Sequence, residues 1–599
     1  MEMNLVPEYD LEYNLDNDEE FNNKLEEGEI GMTNYTEIKA EVSKLDLRQQ
    51  LLELLMLDIR FYAEEVCDNP PPVTVLPKAV SDFLKEYPIG GVILFRENLK
   101  NLDEIINLTD ELQKNCKTGR LIAVDQEGGT VTRIYNACEM PGNMALGALD
   151  KPEVTSKAAE ILASELCALG FNFTFAPVLD VNSNPRNPIV GVRSFGSDPQ
   201  LVARHGVAYC EGLNQGKMIS CGKHFPGHGD TASDSHHDSP SINRSLTEFT
   251  AVELIPFQAS INNGIDSIMT AHIVAPQLDM GQIYSHKKGQ FLPTPATLSK
   301  TILTNLLREQ LKFNGIIVSD ALDMKAISDN FNSAEATVGC IEAGIDLVLM
   351  PFRIWSPAGI KNFSIYFDEL VNACSKSSAL TQRVFESCCR ILELKARKVT
   401  PLLAAQKPFA QRKIAMRNFI YNDKHRLFQE ETAAASITLA KNISGTLPWL
   451  STKSEQILIL TANSAIAEDA LKALQDMGYK NITVKYYAEY DSGKFDLPSA
   501  DKVLLLSYNL SGTQSVIVNQ IVQDLNNLDK PYVLLSCHNP YDVLELNNVR
   551  TNVLAFGCSG IDQTNYSVRR FTLNTTQALR KIMLAQSTKE FNHHLPVQL

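Results

Sequence analysis

Between about Leu45 and Thr400 the chain alternates short, nearly unbroken apolar runs with longer amphipathic stretches. The runs are Leu54–Ile59 (LLMLDI), Gly91–Phe95 (GVILF), Leu121–Asp125 (LIAVD), Phe173–Val181 (FTFAPVLDV), Met218–His224 (MISCGKH), Ser267–His272 (SIMTAH), Ile316–Asp320 (IIVSD) and Asp346–Pro351 (DLVLMP). A strand wetted on one face alternates apolar with polar residues, whereas a run apolar at nearly every position suits a parallel strand buried on both faces. The stretches between most of them, such as Ser156–Leu169 and Ser299–Leu311, are long enough for crossover helices. Eight such units predict an α/β fold, a (β/α)8 TIM-type barrel over residues 45–400.

Near Lys395–Pro408 the texture turns polar and Pro-punctuated, and residues 401–427 are predicted to be a linker with a connecting helix. A helical stretch, Phe428–Leu439, then opens a second βα series: Ile457–Leu460, Ile482–Val484, Val503–Ser507, Tyr532–Ser536 and Val553–Phe556, with helical segments Ala467–Met477 and Ser515–Leu525 between them. This predicts a C-terminal α/β sandwich, a doubly wound layer domain, over residues 428–599. Gly557-Cys558-Ser559-Gly560 lacks the Lys and the spacing of a phosphate-binding loop.

Composition narrows the function. With 599 residues the chain exceeds the roughly 100–200 residues of one domain. Its 55 Lys+Arg against 71 Asp+Glu give a net charge of −16. That surplus of acid argues against a nucleic-acid partner, which needs a concentrated basic surface. Eleven of the acids and a single Lys fall within Met1–Ile30, so residues 1–44 are predicted to be an acidic, disordered tail. That segment has no basic n-region or apolar h-region, and no stretch approaches the roughly 18 apolar residues of a membrane span, so a soluble, cytoplasmic protein without a membrane partner is expected. The twelve cysteines include no Cys-x-x-Cys and read as reduced, buried small hydrophobes.

Candidate chemistry stands at the strand ends. Asp125, Asp180, Lys223–His224, His272 and Asp320 each close an apolar run, and in a barrel those ends converge on one face. The densest polar segment follows one of them: Lys223-His224-Phe225-Pro226-Gly227-His228-Gly229-Asp230-Thr231-Ala232-Ser233-Asp234-Ser235-His236-His237-Asp238, with four His and three Asp in sixteen residues. One reading is a metal site, but Pro226 and Gly227 break any helix that would place His224 and His228 on one face. The other is acid–base chemistry, with Asp234 folding back to steer His236.

The segment KHFPGHGDTASDSHHDSP closely resembles the signature of glycoside hydrolase family 3, specifically its NagZ-type β-N-acetylglucosaminidase branch. Val124-Asp125-Gln126-Glu127-Gly128-Gly129 with Arg133, Val192-Arg193-Ser194-Phe195-Gly196, and Ile317-Val318-Ser319-Asp320-Ala321-Leu322-Asp323-Met324 are similar to the same branch, as are Gly90–Phe95 and Met269–His272, all in family order. The resemblance implies Asp320 as catalytic nucleophile, His236 as general acid/base and Asp234 as its dyad partner. It implies Asp125, Arg133, Arg193, Lys223 and His224 as the grip on a non-reducing N-acetylglucosamine, retention through a covalent intermediate, and no metal or other cofactor. The expected substrate is a muropeptide-type fragment from peptidoglycan recycling, and a monomer is expected.

The residue types suit these roles. A strand-end aspartate can be held rigid and partly desolvated, and a cation such as Lys223 would keep it ionised. An imidazole with an ordinary pKa near 6.5 can protonate a leaving oxygen at neutral pH once a carboxylate steers it. Asp323 is a rival nucleophile on the same loop, Arg193 could instead brace a loop, Asp180 could anchor the loop after it, and Asp230 and His228 read as ties of the Gly-rich loop. The rival functions are a β-N-acetylglucosaminide phosphorylase or β-glucosidase-like activity on the same fold, a metal-dependent hydrolase, and a non-catalytic scaffold.

Overall fold

The computed structural model describes the chain from residue 35 to residue 599, apart from residues 66, 115, 117, 135, 232–239, 444, 451, 492–496, 558–559 and 562–568. Each of the eight apolar runs overlaps a strand, with β5 and β8 extending beyond their runs: β1 (Leu55–Asp58), β2 (Gly91–Leu94), β3 (Leu121–Val124), β4 (Phe173–Thr174), β5 (Cys221–Phe225), β6 (Ser267–Thr270), β7 (Ile316–Val318) and β8 (Val348–Arg353). Every residue of the first seven is buried, as their unbroken hydrophobicity demands.

All their pairings are parallel. One sheet runs β8-β1-β2-β3-β4 and another β5-β6-β7. Single parallel bridges, Phe173 to Ile219 and Val178 to Lys223, link β4 and its continuation to β5, and Val318 to Leu347 links β7 to β8. The hydrogen-bonded order therefore runs through eight strands and returns to β1, so the carboxyl ends of all eight lie on one face.

The crossover helices are locally well specified. Helix Pro199–Gln215 has Pro at its first position and Asp198 as N-cap, whose carboxylate accepts from the Gln200 and Leu201 N–H groups. Helix Asn332-capped Ser333–Ala343 carries a full capping box with Glu335. The run FTFAPVLDV is only briefly a regular strand, because Pro177 has no N–H to donate; the chain continues beside β5 through Cys221 N–H to Ala176 O and Lys223 N–H to Pro177 O. A hairpin of Gln282–Ser285 and Gln290–Pro293 follows β6 and was not expected, its positions being largely exposed.

Two compositional boundaries shift. Helix Tyr35–Val42 buries Ile38 and Val42 in the main core, so packed structure begins before residue 45. The linker is laid on the first unit rather than strung between units: helix Phe409–Phe419 buries Met416, and its Arg417 pairs with Asp103.

Beyond helix Asp423–Ser436 lies the second unit: β9 (Thr438–Asn442), β10 (Ile457–Thr461), β11 (Ile482–Tyr486), β12 (Lys502–Ser507), β13 (Tyr532–Ser536) and β14 (Thr551–Leu554). They form one sheet in the order β9-β14-β13-β12-β10-β11, antiparallel only at the β9 edge. Separate apolar clusters cover its two faces, one around Ile459, Leu504 and Leu535, the other around Leu458, Leu505 and Leu534. That is the doubly wound arrangement. A further small cluster joins Met144, Ala145 and Val192 of the first unit to Tyr541, Leu554 and Phe556 of the second.

Candidate active site

The strand ends gather a balanced group of charges. Lys223, on β5 and only 2% exposed, holds its ammonium 2.8 Å from Asp125 Oδ1 and 2.7 Å from Glu127 Oε1, both residues following β3. Glu127 accepts two hydrogen bonds from Arg193, Nη2 to Oε1 at 2.8 Å and Nε to Oε2 at 2.9 Å. Such a planar fork gives direction as well as charge. Burial alone would raise the Glu127 carboxyl, but Arg193 and Lys223 outweigh it and hold the group far below the ordinary carboxylate range. Burial alone would lower Lys223, yet Asp125 and Glu127 raise it, so Lys223 and Glu127 face each other as an ion pair. Arg133 stands farther off, its Nη2 3.9 Å from Asp125 Oδ2, while its N–H donates to Gln126 Oε1.

A second network fixes the imidazoles. Asp180, wholly buried, accepts from the His224 ring at 2.7 Å through Oδ2, and from the His224 and His228 N–H groups through Oδ1. Burial opposes its ionisation, but His224 and His228 hold its pKa below the usual value. With Nδ1–H donated to Asp180, Nε2 of His224 is left as the acceptor facing Arg193 Nη2 at 3.5 Å. The loop that follows is fastened by Asn187, whose Nδ2 donates to His228 O and Gly229 O, and by Thr231 Oγ1 on His228 Nδ1. Gly229 is obligatory there, since a Cβ would run into the Val181 carbonyl.

Asp320 follows β7 and is partly buried. Its Oδ1 accepts from the Ala321 N–H at 2.7 Å, and its own N–H donates to Thr270 Oγ1. Burial alone would raise its pKa; His272, His224, the Ala321 N–H and Lys223 together hold it below the ordinary 3.8. Lys223 therefore contributes as expected, behind the two imidazoles. His272, buried at the end of β6, donates Nε2–H to Ala321 O at 3.0 Å and meets Thr297 Oγ1 through Nδ1 at 2.8 Å. Burial lowers its pKa. It thereby clamps the residue beside Asp320.

The structure thus brings Asp125, Arg133, Arg193, Lys223, His224 and Asp320 into one neighbourhood. Asp234 and His236 fall in residues 232–239, outside the described residues. Asp323 pairs with Arg353 at 2.7 Å at the surface, and Asp230 with Arg244 at 3.0 Å, so each has a tying role. Arg193 does brace its loop, through Glu127. Glu127 and His272 had no assigned role in the sequence, and Asp180 was expected only to anchor its loop, whereas it also holds the His224 ring and the His228 N–H. Each lies at or just after the end of an apolar run, which was the signal available. Among the described residues, the group of ligand atoms close enough to share a metal ion is Cys138, Glu165 and His425, which includes none of the site residues.

Comparison with known proteins gives a consistent picture. The model of the glycosyl hydrolase family 3 N terminal domain matches residues 47–394. A beta-hexosaminidase A of Pseudoalteromonas piscicida is 33% identical over 558 residues, which is 86% of this chain and 92% of that protein. Among solved structures, a glycoside hydrolase family 3 beta-N-acetylglucosaminidase from Paenibacillus sp. str. FPU-7 is 28% identical with a TM-score of 0.72, covering 93% of this chain and 99% of that one. A beta-glucoside phosphorylase bound to 2FGlc is 25% identical with a TM-score of 0.75, covering 95% and 97%.

Proposed function

The chain belongs to glycosyl hydrolase family 3, and on that premise we propose that it is a retaining exo-β-N-acetylglucosaminidase that releases N-acetylglucosamine from the non-reducing end of muropeptide-type fragments. The observation that carries this reading is the placement of an ionised, rigidly held Asp320 beside the buried Arg193–Glu127–Lys223–Asp125 chain of charges. The Pseudoalteromonas and Paenibacillus relatives support the choice of sugar.

In this mechanism Asp125, Arg133, Arg193, Lys223 and His224 bind the sugar through its hydroxyls and acetamide. Asp320 Oδ1 is engaged by the Ala321 N–H, so attack on C1 falls to Oδ2. His236, steered by Asp234, protonates the departing oxygen, and the covalent glycosyl-Asp320 forms. His236, now a base, takes a proton from water, which releases the sugar with its β-configuration. The described cysteines are free thiols, most of them buried, which supports a cytoplasmic setting. No helix among the described residues is long and apolar enough to cross a membrane.

The likeness to a beta-glucoside phosphorylase supports a second reading, in which phosphate replaces water. An imidazole acid/base repels that anion less than a carboxylate would. Proton NMR of an aryl N-acetyl-β-glucosaminide digest, with and without phosphate, tests both. Hydrolysis gives free β-N-acetylglucosamine first in either buffer; a phosphorylase gives the sugar 1-phosphate; release of the α-anomer contradicts retention.

A further inference from the structure

Three contacts tie the second unit to the loop that carries Arg193. The Val192 N–H donates to Asn539 Oδ1 at 3.1 Å, Asn182 Nδ2 donates to Tyr541 Oη at 2.6 Å, and the Ser197 N–H donates to the Pro596 carbonyl at 3.0 Å. Two glycines show how close the approach is. A Cβ on Gly191 would stand 2.6 Å from Asn539 Oδ1, and one on Gly196 would collide with the Pro596 carbonyl. From the first unit, Asn143 Nδ2 holds the Arg193 carbonyl at 2.7 Å. The turn Gly191–Arg193 is thus clamped from both sides.

Asn539 sits just after β13, at the carboxyl edge of the second sheet, where α/β sheets present their functional loops. Its amide oxygen meets the N–H of the residue directly before Arg193. The guanidinium of Arg193 is fixed at its far end by Glu127, which Lys223 holds in turn. A two-pronged pair between a short turn and a fixed carboxylate tolerates little displacement of the turn. Without its acceptor, the half-buried Val192 N–H would have to move toward water to be satisfied, and Arg193 would move with it.

We propose that Asn539 is a positioning residue for substrate binding: its hydrogen bond to Val192 sets the place of the Gly191–Arg193 turn, and so aims Arg193 at the sugar while keeping it bidentate on Glu127. The second unit thereby tunes the grip on the non-reducing sugar without itself touching the reacting atoms. This rests on Arg193 being a sugar ligand.

The test is steady-state kinetics of the full chain on an aryl N-acetyl-β-glucosaminide, with thermal melts alongside. Asn539→Ala raises KM on the order of fivefold, the worth of one hydrogen bond, with kcat held within about twofold. Asn539→Asp, which keeps an acceptor oxygen in place, returns KM to that of the parent. In an Arg193→Ala background, Asn539→Ala adds no further rise in KM, because the two act through one group. Asn539→Ser, too short to reach the Val192 N–H, serves the same arm if the alanine variant is poorly recovered. A raised KM in Arg193→Ala with an unchanged KM in Asn539→Ala overturns this inference alone, as does a lowered melting temperature without a KM change, or full additivity. An unchanged KM in Arg193→Ala overturns the sugar-ligand reading and this inference together.

Discussion

Lys223 Nζ lies 2.7 Å from Glu127 Oε1, although both side chains are withdrawn from solvent almost completely. Two such charges are tolerated only because each has a second partner: Asp125 for the lysine and Arg193 for the glutamate. The pair joins the segment just after β3 to the middle of β5 and makes the four charges a single electrostatic unit.

Removing one member leaves the others uncompensated. Glu127→Gln keeps the shape but removes the charge shared by Lys223 and Arg193, and is expected to cost about 3 kcal/mol of stability. Urea unfolding of the variant and the parent measures this directly. A loss below the ~0.5 kcal/mol typical of a surface change would mean that the charges are individually solvated.

Asp180 determines the His224 tautomer. In Asp180→Asn, an amide N–H can face Nδ1, which would put the ring proton on Nε2, against the Arg193 guanidinium 3.5 Å away. A displacement of the ring and of Arg193 is expected to cost on the order of a hundredfold in kcat/KM. Kinetics of this variant with an unchanged kcat/KM would show that His224 orientation is irrelevant to turnover.

Asp58 provides a pH signature. It ends β1 with its side chain buried, and desolvation, only partly offset by Arg60, pushes its pKa up to about 7. The folded state therefore binds this proton more tightly than the unfolded chain, whose value is near 3.8. Between those values the native state carries more protons, so stability falls as pH rises toward 7, and the penalty is fully present above it. Asp58→Asn keeps an oxygen for the Arg60 N–H and removes the penalty. It is expected to stabilise the protein by about 1–2 kcal/mol at pH 8 and by little at pH 4, the distance between the folded and unfolded values setting a ceiling of roughly 4 kcal/mol. Equal effects at both pH values in denaturant titrations would exclude this origin.

Legibility in the sequence followed the range of the interactions. The eight strands of the first unit were readable because burial on both faces writes an unbroken apolar run into each strand itself. Asp125, Lys223, His224 and Asp320 stood out as candidates because a titratable residue at or near the end of such a run is conspicuous, although Lys223 and His224 lie within β5 itself. Glu127 was not, since its meaning depends on Arg193, 66 residues away, and on Lys223. Asn539 was still less so, lying 347 residues from Val192, with nothing in its own neighbourhood to mark it. Thr438–Asn442 opens at the edge of the predicted helix Phe428–Leu439; it is a strand because β14 lies alongside to pair with it, a tertiary fact that local pattern does not contain. The aspartate and imidazole at 234 and 236 were read from composition and family likeness, and lie outside the described residues.

The central claim, that Asp320 forms the glycosyl bond, has a direct test. A 2-acetamido-2-deoxy-5-fluoro glycosyl fluoride slows the second step and lets the covalent intermediate accumulate. Mass spectrometry of the labelled, digested protein should place the sugar on the peptide containing Ser319-Asp320-Ala321, and Asp320→Ala should take up none. A label on Asp323, on Asp125 or on any other residue would contradict the account.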